Sequence, residues 1–316
     1  MNNIFINNDE QRLRAGWRLL IQFIFMFLLV GFGILSVQQI WTNPLRVYTT
    51  APQFIGITLS VWLAAKLLDH RSFFDYGLNF NRQWTKDFLA GCLIAAIAIS
   101  TVFAIQWSLG WVTITDFGWN VPSKTPFAVG IVSLFLSMLM VGFHEELFSR
   151  GYQLLNITEG ITYPAIGLNT ALIVAILLTS SLFGLLHIFN PNASIISTFN
   201  IMLAGVILAV PYILTGSLGL SVGLHFSWNF VMAGFLGFPV SGQTIEVTLL
   251  KTHQSGPEFW TGGAFGPEAG LLGLLGMAIM LGATLVYIKR TGYELSVATL
   301  FKNDKQPAVK SDEQSL

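Results

Sequence analysis

The chain has 316 residues, of which 53% are hydrophobic and 10% charged, with a formal net charge of zero. A soluble globular domain carries about 25% charged residues, so this composition excludes an ordinary soluble enzyme and indicates a polytopic membrane protein. Without a strongly basic segment, nucleic acid is not an expected partner. The single cysteine, Cys92, excludes an intrachain disulfide or a cysteine-based metal site, and we interpret it as a buried, inert thiol.

The apolar stretches predict an all-α fold of about eight transmembrane helices around a central polar cavity. The predicted helices lie at 16–41, 51–68, 87–110, 127–150, 166–189, 195–215, 218–237 and 269–288. We divide the chain into a polar cytoplasmic N-terminus (1–15), a region with helices 1 to 3 (16–126), a core with helices 4 to 7 (127–237), an extracytoplasmic loop (238–268), a region with helix 8 (269–301) and a disordered tail (302–316).

The positions of the basic residues predict the orientation. Of 16 lysines and arginines, only Arg46, Lys124 and Lys251 fall on the side opposite the termini. The positive-inside rule then places both termini in the cytoplasm. We expect an integral, multi-pass protein of a bacterial plasma membrane, and we interpret loop 238–268 as a plain connector rather than a lid.

The fourth helix carries the sequence His144-Glu145-Glu146-Leu147-Phe148-Ser149-Arg150. Glu146 and Arg150 are four residues apart and meet on one helical face, whereas Glu145 points about 100° away. This separation predicts that Arg150 neutralises Glu146 and leaves Glu145 to exchange a proton. The alternative for Glu146 and Arg150 is an ion pair at the end of a helix, but ionisable side chains within a membrane are usually functional.

Two later helices carry histidines. The first sequence runs from Phe183 to His187, and a lone histidine on an apolar helix is more often a satisfied core residue. The second runs from His225 to Asn229, which share one helical face and together can hold an oxyanion or orient a water. An interhelical hydrogen bond is the alternative for this pair.

The three motifs in this order, EExxxR, FxxxH and HxxxN, resemble the CAAX-protease and bacteriocin-processing family. That family includes the type II CAAX prenyl endopeptidase, or Ras-converting enzyme, a glutamate-dependent intramembrane protease. The motifs lie within residues 127–237, which on this resemblance form a protease-like core. The first three helices, the last helix and the loops lie outside the motifs.

The resemblance implies a role for each matching residue. Glu145 matches the catalytic glutamate and His187 the histidine that works with it to activate a water. His225 and Asn229 match the pair that stabilises the tetrahedral oxyanion. The resemblance also implies supporting positions, which are Glu146, Arg150 and Phe183.

The sequence leaves metal dependence open. The HExxH zinc motif is absent because position 148 is phenylalanine, yet two histidines and a glutamate suit catalytic zinc. If the enzyme uses a metal, its ligands are Glu145, His187 and His225. We favour a glutamate site without cofactor or metal over a zinc metalloprotease.

Strict alternation of the predicted helices places His187 far from Glu145 and His225. The three residues meet only if the fifth helix is short, tilted or re-entrant, or if the fourth helix runs past Arg150. We favour the last arrangement, with a polar cavity at mid-bilayer depth, since Tyr152 to Leu155 can continue a helix.

The leading hypothesis is an intramembrane endopeptidase acting on a peptide or a membrane protein in the lipid bilayer. A non-catalytic immunity, scaffold or regulatory protein is the alternative. A proton or solute transporter is a third hypothesis, because intramembrane glutamate and histidine also build proton relays.

Overall fold

The computed structural model describes residues 4–7, 10–40, 45–162 and 165–302. Within these ranges the chain is a helical bundle with two small antiparallel sheets. Its helices are α1 (Ala15–Ile40), α2 (Arg46–Ala64), α3 (Arg82–Ser108), α4 (Phe127–Glu146), α5 (Leu155–Ile161), α6 (Leu168–Leu186), α7 (Ile195–Thr215), α8 (Gly219–Phe230), α9 (Glu258–Thr261), α10 (Leu271–Arg290) and α11 (Thr299–Lys302). Three π-helical segments, Ala65–Asp69, Leu147–Leu154 and Val231–Phe235, extend α2, α4 and α8. The strands are β1 (Ile6–Asn7), β2 (Arg12–Leu13), β3 (Val112–Phe117) and β4 (Leu250–Gln254). Single turns of 3-10 helix lie at Phe73–Tyr76, Gly263–Phe265 and Pro267–Ala269.

Seven helical segments of the described chain are long and apolar enough to cross a membrane. The stretch 218–237, which the sequence predicts as a further transmembrane helix, forms α8 and its π-helical extension instead. α8 has only 12 residues, and every side chain from Gly219 to Asn229 is buried. It is therefore an internal helix enclosed by its neighbours.

Glycines bring α8 against α3. A Cβ at Gly223 would lie 2.1 Å from the Phe88 carbonyl oxygen, and one at Gly91 would lie 2.5 Å from that of Leu220. Lipid supplies little hydrophobic driving force between helices, so close backbone approach of this kind stabilises the pair through dispersion contacts. The contact fixes α8, with His225 and Asn229, at the centre of the bundle.

The fourth helix is longer than predicted. It does not end near Arg150 but continues through the π-helical segment and α5, giving a 35-residue span, Phe127–Ile161. All eight side chains of Leu147–Leu154 are buried, which explains why the chain stays helical there. Glu145 consequently lies near the middle of the span, while His187 follows the last residue of α6, so the favoured arrangement of the helices is the one observed.

Loop 238–268 is more than a connector. Its strand β4 pairs with β3, which follows α3, in antiparallel register from Val112 opposite Gln254 to Phe117 opposite Leu250. The loop therefore packs at the end of the bundle opposite the start of α1 and the end of α10. Of the predicted disordered tail, 303–316 lies outside the described residues.

At the other end of the bundle, ion pairs join Arg12 of β2 and Arg18 of α1 to two acids. The acids are Asp69, in the π-helical extension of α2, and Glu159 of α5. Arg18 pairs with Asp69, and Glu159 accepts hydrogen bonds from Arg71 at 2.6 Å and Arg12 at 3.1 Å. This network fixes α1 beside α2, which then forms one wall of the cavity described next.

Candidate active site

A cavity of about 550 Å³ lies inside the bundle. Its walls come from α1, α2, α4, α6, α7, α8 and α10, and from the loops that follow α6 and α8. Most of its lining is apolar. The polar side chains relevant to chemistry are Arg46, His144, Glu145, His187, His225, Asn229, Ser241, Gln243 and Glu268.

Glu146 and Arg150 lie behind the cavity wall as a buried ion pair. Arg150 Nη1 donates to Glu146 Oε1 at 2.9 Å, and its Nη2 donates to the Gly205 carbonyl at 3.0 Å. The guanidinium also lies over the Phe183 ring, 4.5 Å from its centre. The pair joins α4 to α6 and α7, as their spacing on the helix allows.

Two π-helical segments lie at these motifs: one begins after Glu146 and contains Arg150, and the other begins after Phe230, just beyond Asn229. Single π-helical turns inside α-helices are frequent at functional sites. The hydrophobic pattern gave no sign of them, because a change of helical pitch leaves the apolar character of the residues unchanged.

Glu145 faces the cavity. Its side chain is 26% exposed, whereas that of Glu146 is fully buried. Its Oε2 has no hydrogen-bond partner among the described residues and lies 3.8 Å from His225 Nε2. The two adjacent carboxylates therefore occupy different environments, and Glu145 is the one open to a water molecule.

His225 is held by the other glutamate. Its Nδ1 lies 2.8 Å from Glu146 Oε1, and since a carboxylate accepts, Nδ1–H is the donor. This bond turns Nε2 toward Glu145 and the cavity. Asn229, one helical turn further on, also lines the cavity.

His187 approaches from the opposite wall, at the C-terminal end of α6. Its Nδ1 lies 2.7 Å from the Phe183 carbonyl oxygen, so Nδ1–H donates and Nε2 is left as an acceptor facing the cavity. The Phe183 ring packs 5.0 Å from the His187 ring and 6.0 Å from the His225 ring, measured between centres. Phe183 thus separates the two imidazoles and positions both.

Sequence reasoning missed Glu268, which precedes α10. Its carboxylate is buried and lines the cavity, and Oε2 accepts from the Ser241 backbone nitrogen at 2.6 Å and the Ser241 hydroxyl at 3.1 Å. Burial raises the pKa of this carboxyl, against the opposing effects of Ser241, His187 and His225. No sequence motif marks Glu268, because its partners come from a loop and from distant helices.

The partner of Glu268 belongs to a tight turn in the cavity wall, here named the mouth turn (residues 240–243). Val240 and Gln243 exchange backbone hydrogen bonds, and Ser241 and Gly242 both have positive φ, 47° and 82°. A turn of this kind requires positive φ at both central residues. A Cβ at Gly242 would lie 1.8 Å from the Pro191 carbonyl oxygen, so the turn packs tightly on the α6–α7 connection.

No group of three histidine, cysteine, aspartate or glutamate side chains in the described ranges has the geometry of a metal site. Glu145, His187 and His225 supply suitable donor atoms, and the two histidines are each held through Nδ1 by another contact.

Residues 127–231 match the family of type II CAAX prenyl endopeptidases, Rce1-like. No curated protein and no solved structure matches the chain. The matched segment begins at the first residue of α4 and ends just beyond α8. It therefore contains all three motifs, whereas α2, the mouth turn and Glu268 lie outside it.

Proposed function

We propose that this chain, which belongs to the CAAX protease family, is an intramembrane endopeptidase. In this enzyme Glu145 and His187 activate a water. The observation that carries this proposal is the position of Glu145. Its carboxylate lines the cavity and forms no ion pair with Arg150. His225, Asn229 and His187 line the same cavity. Base, nucleophile and oxyanion donors are the parts that acyl transfer to water requires.

In the first step, Glu145 takes a proton from water, and the resulting hydroxide forms a bond to the peptide carbonyl carbon. His187 Nε2 accepts a hydrogen bond from the same water and orients it. The carbonyl electron pair moves to oxygen, where the Asn229 amide and a protonated His225 Nε2 donate to the oxyanion. Glu146 holds His225 in this orientation through Nδ1.

In the second step, the tetrahedral intermediate collapses and the carbon–nitrogen bond breaks. The proton held by Glu145 passes to the leaving amine, so that Glu145 returns to its starting state. The expected substrate is a peptide or membrane protein that reaches the cavity from the bilayer, and a prenyl group is not required by any residue described above.

Cleavage of a membrane-peptide library by the purified protein tests the proposal. Wild type should cleave, whereas Glu145→Gln and His187→Ala should lose cleavage while keeping the elution profile of the folded protein. Glu258→Gln, an exposed glutamate on α9, is the matched control and should cleave normally. Equal cleavage by all four proteins would refute the assignment of Glu145 and His187.

If no protein cleaves any peptide, the non-catalytic scaffold or immunity function becomes the better explanation. Treatment of the active enzyme with a strong chelator tests the metal-free mechanism. We expect activity to persist. Lasting loss that zinc restores would replace the glutamate mechanism by a zinc one.

A further inference from the structure

One wall of the cavity carries a polar stripe that the family match does not cover. Arg46, Thr49, Thr50 and Gln53 all line the cavity from α2, and their spacing of three and four residues places them on one helical face. Polar side chains on a membrane helix normally face protein or water rather than lipid. This face of α2 is therefore built to meet polar groups inside the cavity.

Arg46 is the cation of this stripe, and it has no anionic partner. Its Nη2 donates to Gln243 Oε1 at 2.8 Å, and Nε is buried without any hydrogen bond. No carboxylate of the described residues lies within salt-bridge distance of it, since Arg46 is absent from every ion pair found there. A guanidinium has five N–H donors, so most of its capacity for binding is unused.

The guanidinium is held in place from both sides. Arg46 is the first residue of α2, whose next residue, Val47, donates its backbone N–H to Ser133 Oγ of α4 at 3.1 Å. Gln243, its partner, is the last residue of the mouth turn, and the backbone bonds to Val240 fix that turn. A partly buried cation kept rigid by a neutral amide is costly unless an anion joins it.

Glu268, the buried acid bound to the mouth turn, does not supply that anion. Glu268 Oε2 accepts from both donors of Ser241 and forms no ion pair with Arg46. The partial positive charge at the start of α2 adds to that of the guanidinium. This end of the cavity therefore attracts negative charge from outside the protein.

The distance from Arg46 to Glu145 can be read along α4. The bond from Val47 to Ser133 marks the level of the α2 backbone at Arg46, and Ser133 precedes Glu145 by about 12 residues, or about 18 Å of helix rise between the two backbones. An extended peptide covers that distance in about five residues. A peptide bond at Glu145 and a charged group at Arg46 thus fit one bound substrate.

We propose that Arg46, supported by Gln243, forms a subsite for a carboxylate of the substrate, about five residues from the bond that is cleaved. The carboxylate is either an acidic side chain or the C-terminal group, since both offer two oxygens to the guanidinium. This inference rests on the proposed function, and it makes Arg46 a residue that determines specificity. Thr49, Thr50 and Gln53 line the path between subsite and catalytic centre.

Binding and cleavage of matched peptides test the subsite. Two pairs of amidated peptides carry Asp or Asn five residues from the bond, one pair on each side of it. A third pair has only neutral side chains and ends there in a free carboxylate or a carboxamide. Binding is measured on the Glu145→Gln protein, alone and with Arg46→Gln, and cleavage on the active protein with and without Arg46→Gln.

We expect at least one acidic peptide to bind and be cleaved about 10- to 100-fold better than its neutral match, as for a charge-assisted hydrogen bond. Arg46→Gln should abolish this preference by lowering binding and cleavage of the acidic peptide to the level of its neutral match. Arg46→Lys should keep part of it, and Lys124→Gln, an exposed cation on the same side, should keep all of it. A preference within an Asp/Asn pair identifies an acidic side chain as the source of the anion. A preference within the carboxylate/carboxamide pair identifies the C-terminal group.

Two results would overturn the subsite. One is a wild-type protein with equal affinity for acidic and neutral peptides at every position. The other is an Arg46→Gln protein that loses both classes equally, which would assign Arg46 to a structural or lipid-headgroup contact. Binding to the Glu145→Gln protein is measured without catalysis, so the subsite can fail or succeed independently of the protease function.

Discussion

At the scale of single residues, the adjacent glutamates Glu145 and Glu146 lie in different environments. Glu146 is fully buried and accepts through Oε1 from both Arg150 and His225, whereas the side chain of Glu145 is partly exposed and lines the cavity. The spacing of Glu146 and Arg150 on the helix predicted their ion pair. The bond from His225 to Glu146 was not predictable, because it depends on how α8 is rotated against α4.

Replacement of Arg150 by methionine should destabilise the protein strongly. The change leaves the Glu146 carboxylate buried without its cation, which typically costs about 3–5 kcal/mol. The free energy of unfolding in detergent measures the effect. The double variant Glu146→Gln/Arg150→Met removes both charges and should recover part of the loss. A double variant less stable than Arg150→Met alone would contradict this explanation.

Asn229→Leu should lower kcat by about 100- to 1000-fold, as is typical when one oxyanion donor is removed. KM should change little, because the donor acts mainly in the transition state. Asn229→Gln, which keeps an amide, is the comparison. A large rise in KM at constant kcat would instead assign Asn229 to substrate binding.

At the scale of elements, the central position of α8 depends on its glycines. Gly223→Ala should destabilise the protein by about 1–3 kcal/mol, the usual cost of overpacking, since its Cβ would meet the Phe88 carbonyl at 2.1 Å. Gly282→Ala in α10 is the matched control, because a Cβ there has no atom within 4 Å. Thermal unfolding of the two variants should separate them, and equal midpoints would argue against a tight α3–α8 contact.

The link from the mouth turn to Glu268 should give a pH dependence to stability. Burial raises the pKa of the Glu268 carboxyl in the folded protein. In the unfolded chain this carboxyl loses its proton at about pH 4, whereas in the folded protein it keeps the proton to a higher pH. Stability then falls as pH rises through the interval between these two pH values. Glu268→Gln has no such proton, and its thermal midpoint should decline less than that of wild type. An unchanged profile in Glu268→Gln, with Glu258→Gln as control, would exclude this cause.

The helices themselves were largely predictable, because long apolar runs have few alternatives to a membrane helix. Two features were predicted only in part. We expected α4 to continue past Arg150, but its full extent to Ile161 passes through polar residues that only tertiary contacts bury. The short α8 looked long enough to span because apolar residues follow it. The same limit applies to the site. The motif residues were found by their types and spacing. Arg46 and Glu268 were not, because their hydrogen-bond partners, Gln243 and Ser241, lie in a loop.

At the scale of the whole molecule, the mouth turn lies at the end of the bundle opposite the start of α1 and the end of α10. If the termini are cytoplasmic, as the positions of lysine and arginine predict, the mouth turn and the β3–β4 sheet face outward. A Thr113→Cys protein in a Cys92→Ala background should then react with a membrane-impermeant thiol reagent in intact cells. Glu294→Cys, beyond α10, should react only after the cells are opened. The reverse pattern would invert the topology and place the cavity mouth in the cytoplasm.

The pairing of Glu146 with Arg150 also bears on how the chain is made. A single charge at the centre of a membrane helix costs about 2.5–3.5 kcal/mol on insertion. Arg150 follows Glu146 by one helical turn, so the two charges neutralise each other as soon as their helix forms. His225, the other partner of Glu146, is synthesised 79 residues later. The helix that carries the glutamates can thus leave the translocon with one charge satisfied, and its final hydrogen bond is completed only when α8 arrives.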